Sequence, residues 1–208
     1  YLAWMPQGKW LVVPIAQEPG KPRALFLVST ETQERRQLTS PDPNDWGDFF
    51  PAVSPDGRQV AFARIVRYAL SEIFVAGLTP ELRPDGQARQ VTSTNGYSIC
   101  PAWTRDGAEI VYASGHPGSS LWRVAAAKSA KPLKLPFGDE GTSPVISPQG
   151  HRLAYVRLLG DANLYRIALS SPGVASGPPT RFAASTRSER SPHYAPDGKR
   201  IAFESHRA

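Results

Sequence analysis

The sequence predicts an all-β protein, a partial β-propeller of four-stranded antiparallel blades, about four and a half in number and incomplete. Three observations predict it. First, one turn, Ser54-Pro55-Asp56-Gly57, recurs in near copies, its glycines standing at Gly8, Gly57, Gly107, Gly150 and Gly198, separated by 49, 50, 43 and 48 residues. A repeat of that length marks stacked supersecondary units. Second, the run after each turn is apolar on both faces, as in Val60-Ala61-Phe62-Ala63. A strand with one wet face would alternate, so these strands belong to sheets covered on both sides. Third, each interval between turns holds another apolar run and then a short polar one. Four strands per unit, the outermost wet, make a propeller blade.

The turn has a mechanism. Ser54 suits the first position of a type I turn, Pro55 presets φ at the second, Asp56 tolerates the third, and Gly57 supplies the left-handed residue that closes the hairpin with a bulge. The other copies run Ala3-Trp4-Met5-Pro6-Gln7-Gly8, Ala102-Trp103-Thr104-Arg105-Asp106-Gly107, Val145-Ile146-Ser147-Pro148-Gln149-Gly150 and His193-Tyr194-Ala195-Pro196-Asp197-Gly198. Third strands are predicted at Ala24-Leu25-Phe26-Leu27-Val28, Glu72-Ile73-Phe74-Val75-Ala76, Ser120-Leu121-Trp122-Arg123-Val124 and Asn163-Leu164-Tyr165-Arg166-Ile167. Short polar fourth strands follow at 36–39, 89–92, 133–135 and 180–183. The blades then span 1–44, 45–94, 95–138 and 139–186, with a half blade at 187–208. A ring so divided does not close, so apolar blade faces are expected to be exposed. The reading is of a piece cut from a longer polypeptide, with self-association through open blade faces.

Composition narrows the class. Hydrophobic residues make up 40% and charged residues 20%, ordinary values for a globular protein, while 21 prolines and 17 glycines punctuate the apolar runs. Cys100 is the sole cysteine, which excludes an internal disulfide and a thiolate metal cluster. It reads as a buried, inert residue. No apolar run approaches the roughly 20 residues of a membrane-spanning helix, so no membrane insertion is expected. The net charge is +6, and the one biased stretch holds Arg123, Lys128, Lys131 and Lys134. Nucleic-acid binding would want a continuous basic surface with stacking aromatics. Lysines guarding an outer strand against edge pairing explain the stretch better, and no direct nucleic-acid binding is expected.

The copy Ser191-Pro192-His193-Tyr194-Ala195-Pro196-Asp197-Gly198-Lys199-Arg200-Ile201-Ala202-Phe203 resembles the WD-like propeller repeat of the TolB family, Pro-x-[Trp/Phe]-Ser-Pro-Asp-Gly-[Lys/Arg]-x-Ile-Ala-Phe. The resemblance covers the whole chain. It implies the propeller fold and leaves function open, since similar repeats occur in TolB, in prolyl-oligopeptidase-type and tricorn peptidases, and in bacterial regulators and kinases. Trp10-Leu11-Val12-Val13-Pro14, Ser119-Ser120-Leu121-Trp122-Arg123-Val124 and Ala184-Ser185-Thr186-Arg187-Ser188 look most like bacterial regulators that join a winged helix to such a propeller. Gln7, Gln149 and Thr104-Arg105 depart from the pattern. The turn side chains are therefore not a fixed catalytic set.

Chemistry is sparse. The chain has no Gly-x-Ser-x-Gly nucleophile turn, no phosphate-binding glycine loop and no His-Glu-x-x-His. The histidines His116, His151, His193 and His206 carry no metal-ligand spacing, and Asp139-Glu140 between glycines reads as a solvated turn. Catalytic, metal-binding and cofactor-binding residues are expected to be none. Binding is favoured instead. Loops entering the innermost strands and joining second to third strands gather on one face of a propeller. Those loops carry Trp46, Asp48, Phe49, Tyr97, His116 and Arg190, with Arg64, Tyr68 and Asp161 beside them. Aromatics mixed with charges suit recognition of a protein or peptide partner. The competing reading has Trp46 and Phe49 packing over neighbouring blades and Asp48 capping backbone amides. The function expected is a non-enzymatic interaction or sensory module of a larger bacterial protein. The alternative is the propeller of a prolyl-oligopeptidase-type peptidase.

Overall fold

Each apolar run of the sequence forms a strand, and the strands group blade by blade. A computed structural model describes residues 1–116, 118–127, 130–159, 161–183 and 189–205, giving only the backbone at 158, 159, 161 and 162. Lys128, His206 and the Ala184-Ser185-Thr186-Arg187-Ser188 stretch lie outside the described residues, as does the side chain of Asp161.

The first blade holds β1 (Ala3–Trp4), β2 (Trp10–Ala16), β3 (Arg23–Ser29) and β4 (Arg35–Gln37), and the second β5 (Gly47–Val53), β6 (Gln59–Arg67), β7 (Leu70–Leu78) and β8 (Pro84–Gln90). The third is β9 (Ser98–Trp103), β10 (Glu109–Ser114), β11 (Ser120–Ala125) and β12 (Leu133–Asp139). In the fourth, β13 (Gly141–Ile146), β14 (Arg152–Leu159) and β15 (Asp161–Ser171) are followed by β16 (Val174–Ala175) and β17 (Thr180–Ala183). A two-stranded unit, β18 (Glu189–Tyr194) with β19 (Ile201–Ser205), ends the series. Strands within a blade pair antiparallel, and the blades do not close into a ring. The fold is an incomplete all-β propeller.

Two details differ from the sequence expectation. β15 runs on into a tight hairpin with β16, an extra strand at Gly173. β8 and β12 are longer than the short polar runs suggested, because their hydrogen bonding tolerates register shifts, between Val75 and Gly77 and between Ser120 and Trp122. An outer strand has only one neighbour to match, so such shifts cost it little.

The core lies between blades. Val12, Leu25 and Leu27 of the first blade meet Val60, Phe62 and Leu78 of the second. Ala61, Ala63, Ile73 and Val75 on the second blade's other face meet Trp103, Ile110 and Tyr112. Val111, Ala113 and Leu121 continue the stack onto Leu153, Tyr155 and Ile167. This is why the strands are apolar on both sides: alternate residues serve different interfaces.

The repeated turn is built as its chemistry predicts. Gly57 N donates to Ser54 O (2.9 Å), Ser54 N to Gln59 O (2.8 Å), and Gly57 has φ +70°. Ser54 Oγ donates to Asp56 Oδ1 (2.6 Å) and accepts from Gln59 N (2.9 Å), while Arg58 N donates to Asp56 Oδ1 (3.0 Å). The turns also touch one another around the ring. A Cβ on Gly150 would stand 2.8 Å from Arg105 Cβ of the preceding turn, so that glycine is required by crowding as well as by φ.

Candidate functional site

All inner strands run the same way, from the end bearing Trp46, Tyr97 and Arg190 to the end bearing the repeated turns. Four of them, β5, β9, β13 and β18, carry a bulge. In β5, Phe49 pairs with Ala63 and Ala52 with Ala61, so Phe50 and Pro51 share the one position opposite Phe62. Cys100-Pro101 likewise lies opposite Tyr112, Ser143-Pro144 opposite Tyr155, and Ser191-Pro192 opposite Phe203. The residue before each proline is left-handed, with φ of 52° at Phe50, 54° at Cys100, 49° at Ser143 and 52° at Ser191. Proline has no N–H to contribute to a ladder, so a bulge is where a sheet accepts it. A left-handed residue with a side chain costs about 1–2 kcal/mol, and such residues persist where surrounding structure holds them, often at functional sites.

These positions wall a central cavity of about 730 Å³ reached by the inner strand of every blade. Tyr1 occupies the corresponding position of the first blade, its ring edge-on to Phe50 with centroids 4.2 Å apart. Cys100 Sγ is 3.7 Å from Ser143 Oγ. Burial pushes the Cys100 thiol up to about 11, so it is neutral and not a nucleophile at ordinary pH. Burial likewise raises the Tyr1 hydroxyl.

The rim holds the side chains that the sequence singled out, in three separate settings. Tyr97 and His116 come together with Tyr68: the His116 ring stands edge-on to both, at 5.2 Å from Tyr68 and 5.9 Å from Tyr97, and the Tyr68 hydroxyl is 3.2 Å from His116 Nε2. Trp46 is exposed, its backbone held between Ile65 and Arg23. Phe49 is half-buried under the Arg23 guanidinium, 5.4 Å from the ring centroid. Asp48 is fully buried, and both its oxygens accept from Arg64, at 2.7 and 2.9 Å. It is neither a surface recognition group nor a cap on backbone amides; the aromatic faces of Phe74 and Phe62 cover its arginine. Arg190 is exposed on β18, apart from the Tyr68 cluster.

Sequence reasoning missed the cavity wall itself, Phe50, Cys100, Ser143 and Ser191. A signal was present: Pro51, Pro101, Pro144 and Pro192 each stand three residues before the first turn position. A proline inside an inner strand demands a bulge. Among the described residues, no group of three His, Cys, Asp or Glu could hold a metal ion, and no helix is long and apolar enough to cross a membrane.

Solved structures share this architecture. TolB from Acinetobacter baumannii superposes with a TM-score of 0.74 at 20% identity, over 96% of this chain and 47% of that one. A protein described as TolB from Agrobacterium tumefaciens gives 0.72 at 20% identity, over 99% of this chain and 69% of that one. A puromycin-hydrolyzing peptidase of Mycobacterium tuberculosis gives 0.62 at 18% identity, over 99% of this chain and 36% of that one. The chain therefore spans about half the length of the Acinetobacter TolB. At these identities the likeness establishes the fold alone. No curated protein sequence matches the chain. The family profile described as the TolB beta propeller domain matches residues 3–208. With two-faced apolar strands, the repeated turn and this match over nearly its whole length, the chain belongs to the TolB β-propeller family.

Proposed function

We propose that the chain is a non-enzymatic recognition module whose central cavity takes a peptide segment of a partner protein. The observation that carries this is the cavity, about 730 Å³ and walled mainly by apolar side chains and prolines. That volume lies within the range typical of ligand sites. The bulges strengthen the reading, since each leaves backbone groups of Phe50, Cys100, Ser143 and Ser191 without a ladder partner. An extended peptide offers the complementary backbone donors and acceptors.

The test is selection of binding peptides from a random library, followed by photo-crosslinking of a selected peptide. Crosslinks are expected on the inner strands, around 50–53, 100–103 and 143–146. Crosslinks confined to the Tyr68 and His116 rim would overturn the cavity as the site. Generic peptidase and esterase substrates are expected to show no turnover; turnover abolished by one substitution in this chain would overturn the non-enzymatic reading.

Within this reading, the chain is the propeller part of a winged-helix regulator or of a TolB-like envelope protein, the first supported by the sequence resemblance and the second by the family. The structural likeness to the puromycin-hydrolyzing peptidase favours a second reading, a propeller beside a hydrolase domain. The parent coding sequence decides, by an upstream winged helix or a downstream nucleophile turn.

A further inference from the structure

The equivalent positions around the cavity are not alike. The first two blades place the rings of Tyr1 and Phe50 there, in edge-to-face contact. The next three units place Cys100, Ser143 and Ser191. One arc of the wall is therefore aromatic, and the rest is lined by three consecutive small side chains. Pro101, Pro144 and Pro192 line this second arc and offer no N–H. The Cys100 thiol and Ser143 hydroxyl face each other. Arg190 and Glu204, the charged groups whose fields reach Tyr1, are of opposite sign. Arg105, the one arginine lining the cavity, stands at its turn end beside Gly150 rather than in the arc, so an ion entering the arc would lose its water without a counter-charge beside it.

We infer that the arc of Cys100, Ser143 and Ser191 sets the specificity of the cavity, by accepting one bulky uncharged side chain of the leucine, phenylalanine or tryptophan class. This rests on the peptide reading above. The space exists because these blades carry a small residue where the second blade carries a ring. The same comparison supplies a blocking variant. Phe50 already holds a phenylalanine at φ 52° in the equivalent bulge, so Ser143→Phe, at φ 49°, is compatible with the fold.

The experiment titrates N-acetyl-leucinamide, N-acetyl-tryptophanamide and N-acetyl-glycinamide into the isotope-labelled chain and follows the amide signals of Cys100, Ser143 and Ser191. The first two are expected to shift these signals saturably, the third not. Ser143→Phe is expected to weaken the response by at least about tenfold, and Lys21→Ala, at an exposed position outside the cavity lining, to leave it intact. An equal response to the glycine probe, or one that survives Ser143→Phe, overturns the inference. Library-selected peptides separate the two proposals. Crosslinking to the inner strands with affinity indifferent to Ser143→Phe removes the subsite and leaves the peptide reading. Saturable binding of the leucine probe at the arc, with peptides crosslinked only at the rim, upholds the subsite and removes the peptide reading.

Discussion

Ser54, Thr104 and Ser147 occupy one position in three copies of the turn, yet their hydroxyls fare differently. Ser54 donates to Asp56 and accepts from Gln59 N; Thr104 donates to Asp106 (2.6 Å) and accepts from Glu109 N (3.0 Å). Ser147 is buried and its hydroxyl has no partner. The reason is two residues away, where Gln149 replaces the aspartate and sends its side-chain N–H to Asp197 O (2.8 Å) in the next turn. Gln149 thus trades a bond within its own turn for a clasp between turns. Ser54→Ala is expected to lower stability by about 1–2 kcal/mol, and Ser147→Ala to leave it unchanged or slightly raised, by denaturant unfolding. Equal losses at both sites would contradict this account. The hydroxyls were legible in the sequence as turn formers. The orphaned one was not, because its partner's direction depends on the neighbouring blade.

At the scale of the strand and blade, Trp103 and Trp4 make the same kind of comparison. They hold equivalent positions, one residue before the turn's first partner. Trp103 is 6% exposed and donates its indole N–H to Ala52 O of the preceding blade (2.9 Å). Trp4 is 53% exposed, because the described residues put no blade against that face. Trp103→Ala is expected to cost about 3–5 kcal/mol, for lost burial, a cavity and an unpaired carbonyl. Trp4→Ala is expected to cost below about 1 kcal/mol in this chain. Thermal and denaturant melts of the two variants check the difference; similar losses would mean that Trp4 is covered in solution. Strand order and the apolar stripe of each strand were readable from the repeat, since both follow from local periodicity. The bulges at Phe50, Cys100, Ser143 and Ser191 were written in the prolines, but their meeting around one cavity required the blades to be placed.

For the whole molecule, acid response follows from its carboxylates. Arg36 holds Glu34 below its usual range, the Ser54 hydroxyl does so for Asp56, the Thr104 hydroxyl for Asp106, Lys134 for Asp139, and the Lys199 backbone N–H for Asp197. Asp45 works the other way, raised by burial and by Asp42. A carboxylate with a lowered folded value contributes stability above its unfolded value, near about 4, and loses it as pH falls through the lower folded one. The melting temperature is expected to stay level from about pH 7 to 5 and to fall below about pH 4. The Asp56→Asn, Asp106→Asn double variant should show a shallower fall. These groups are solvent-facing, so the effect is modest and shrinks with salt. A decline centred between pH 6 and 7 would assign the response to histidine instead.

The repeat period, the turn chemistry and the two-faced apolar strands were settled by the chain alone, because each depends on residues within a few positions of one another. From them came the blade, its strands and the incomplete ring. The exposed aromatics at Trp46, Tyr68 and His116 were also readable, as loop residues. Tertiary structure decided what the loops and bulges became. It buried Asp48 against Arg64 16 residues away, joined Tyr68 to His116 across 48 residues, and gathered four left-handed positions, from three blades and the two-stranded unit, around one cavity. Those contacts depend on how one blade is rotated against the next, and that angle is set by side chains packed between sheets rather than by any local run of sequence.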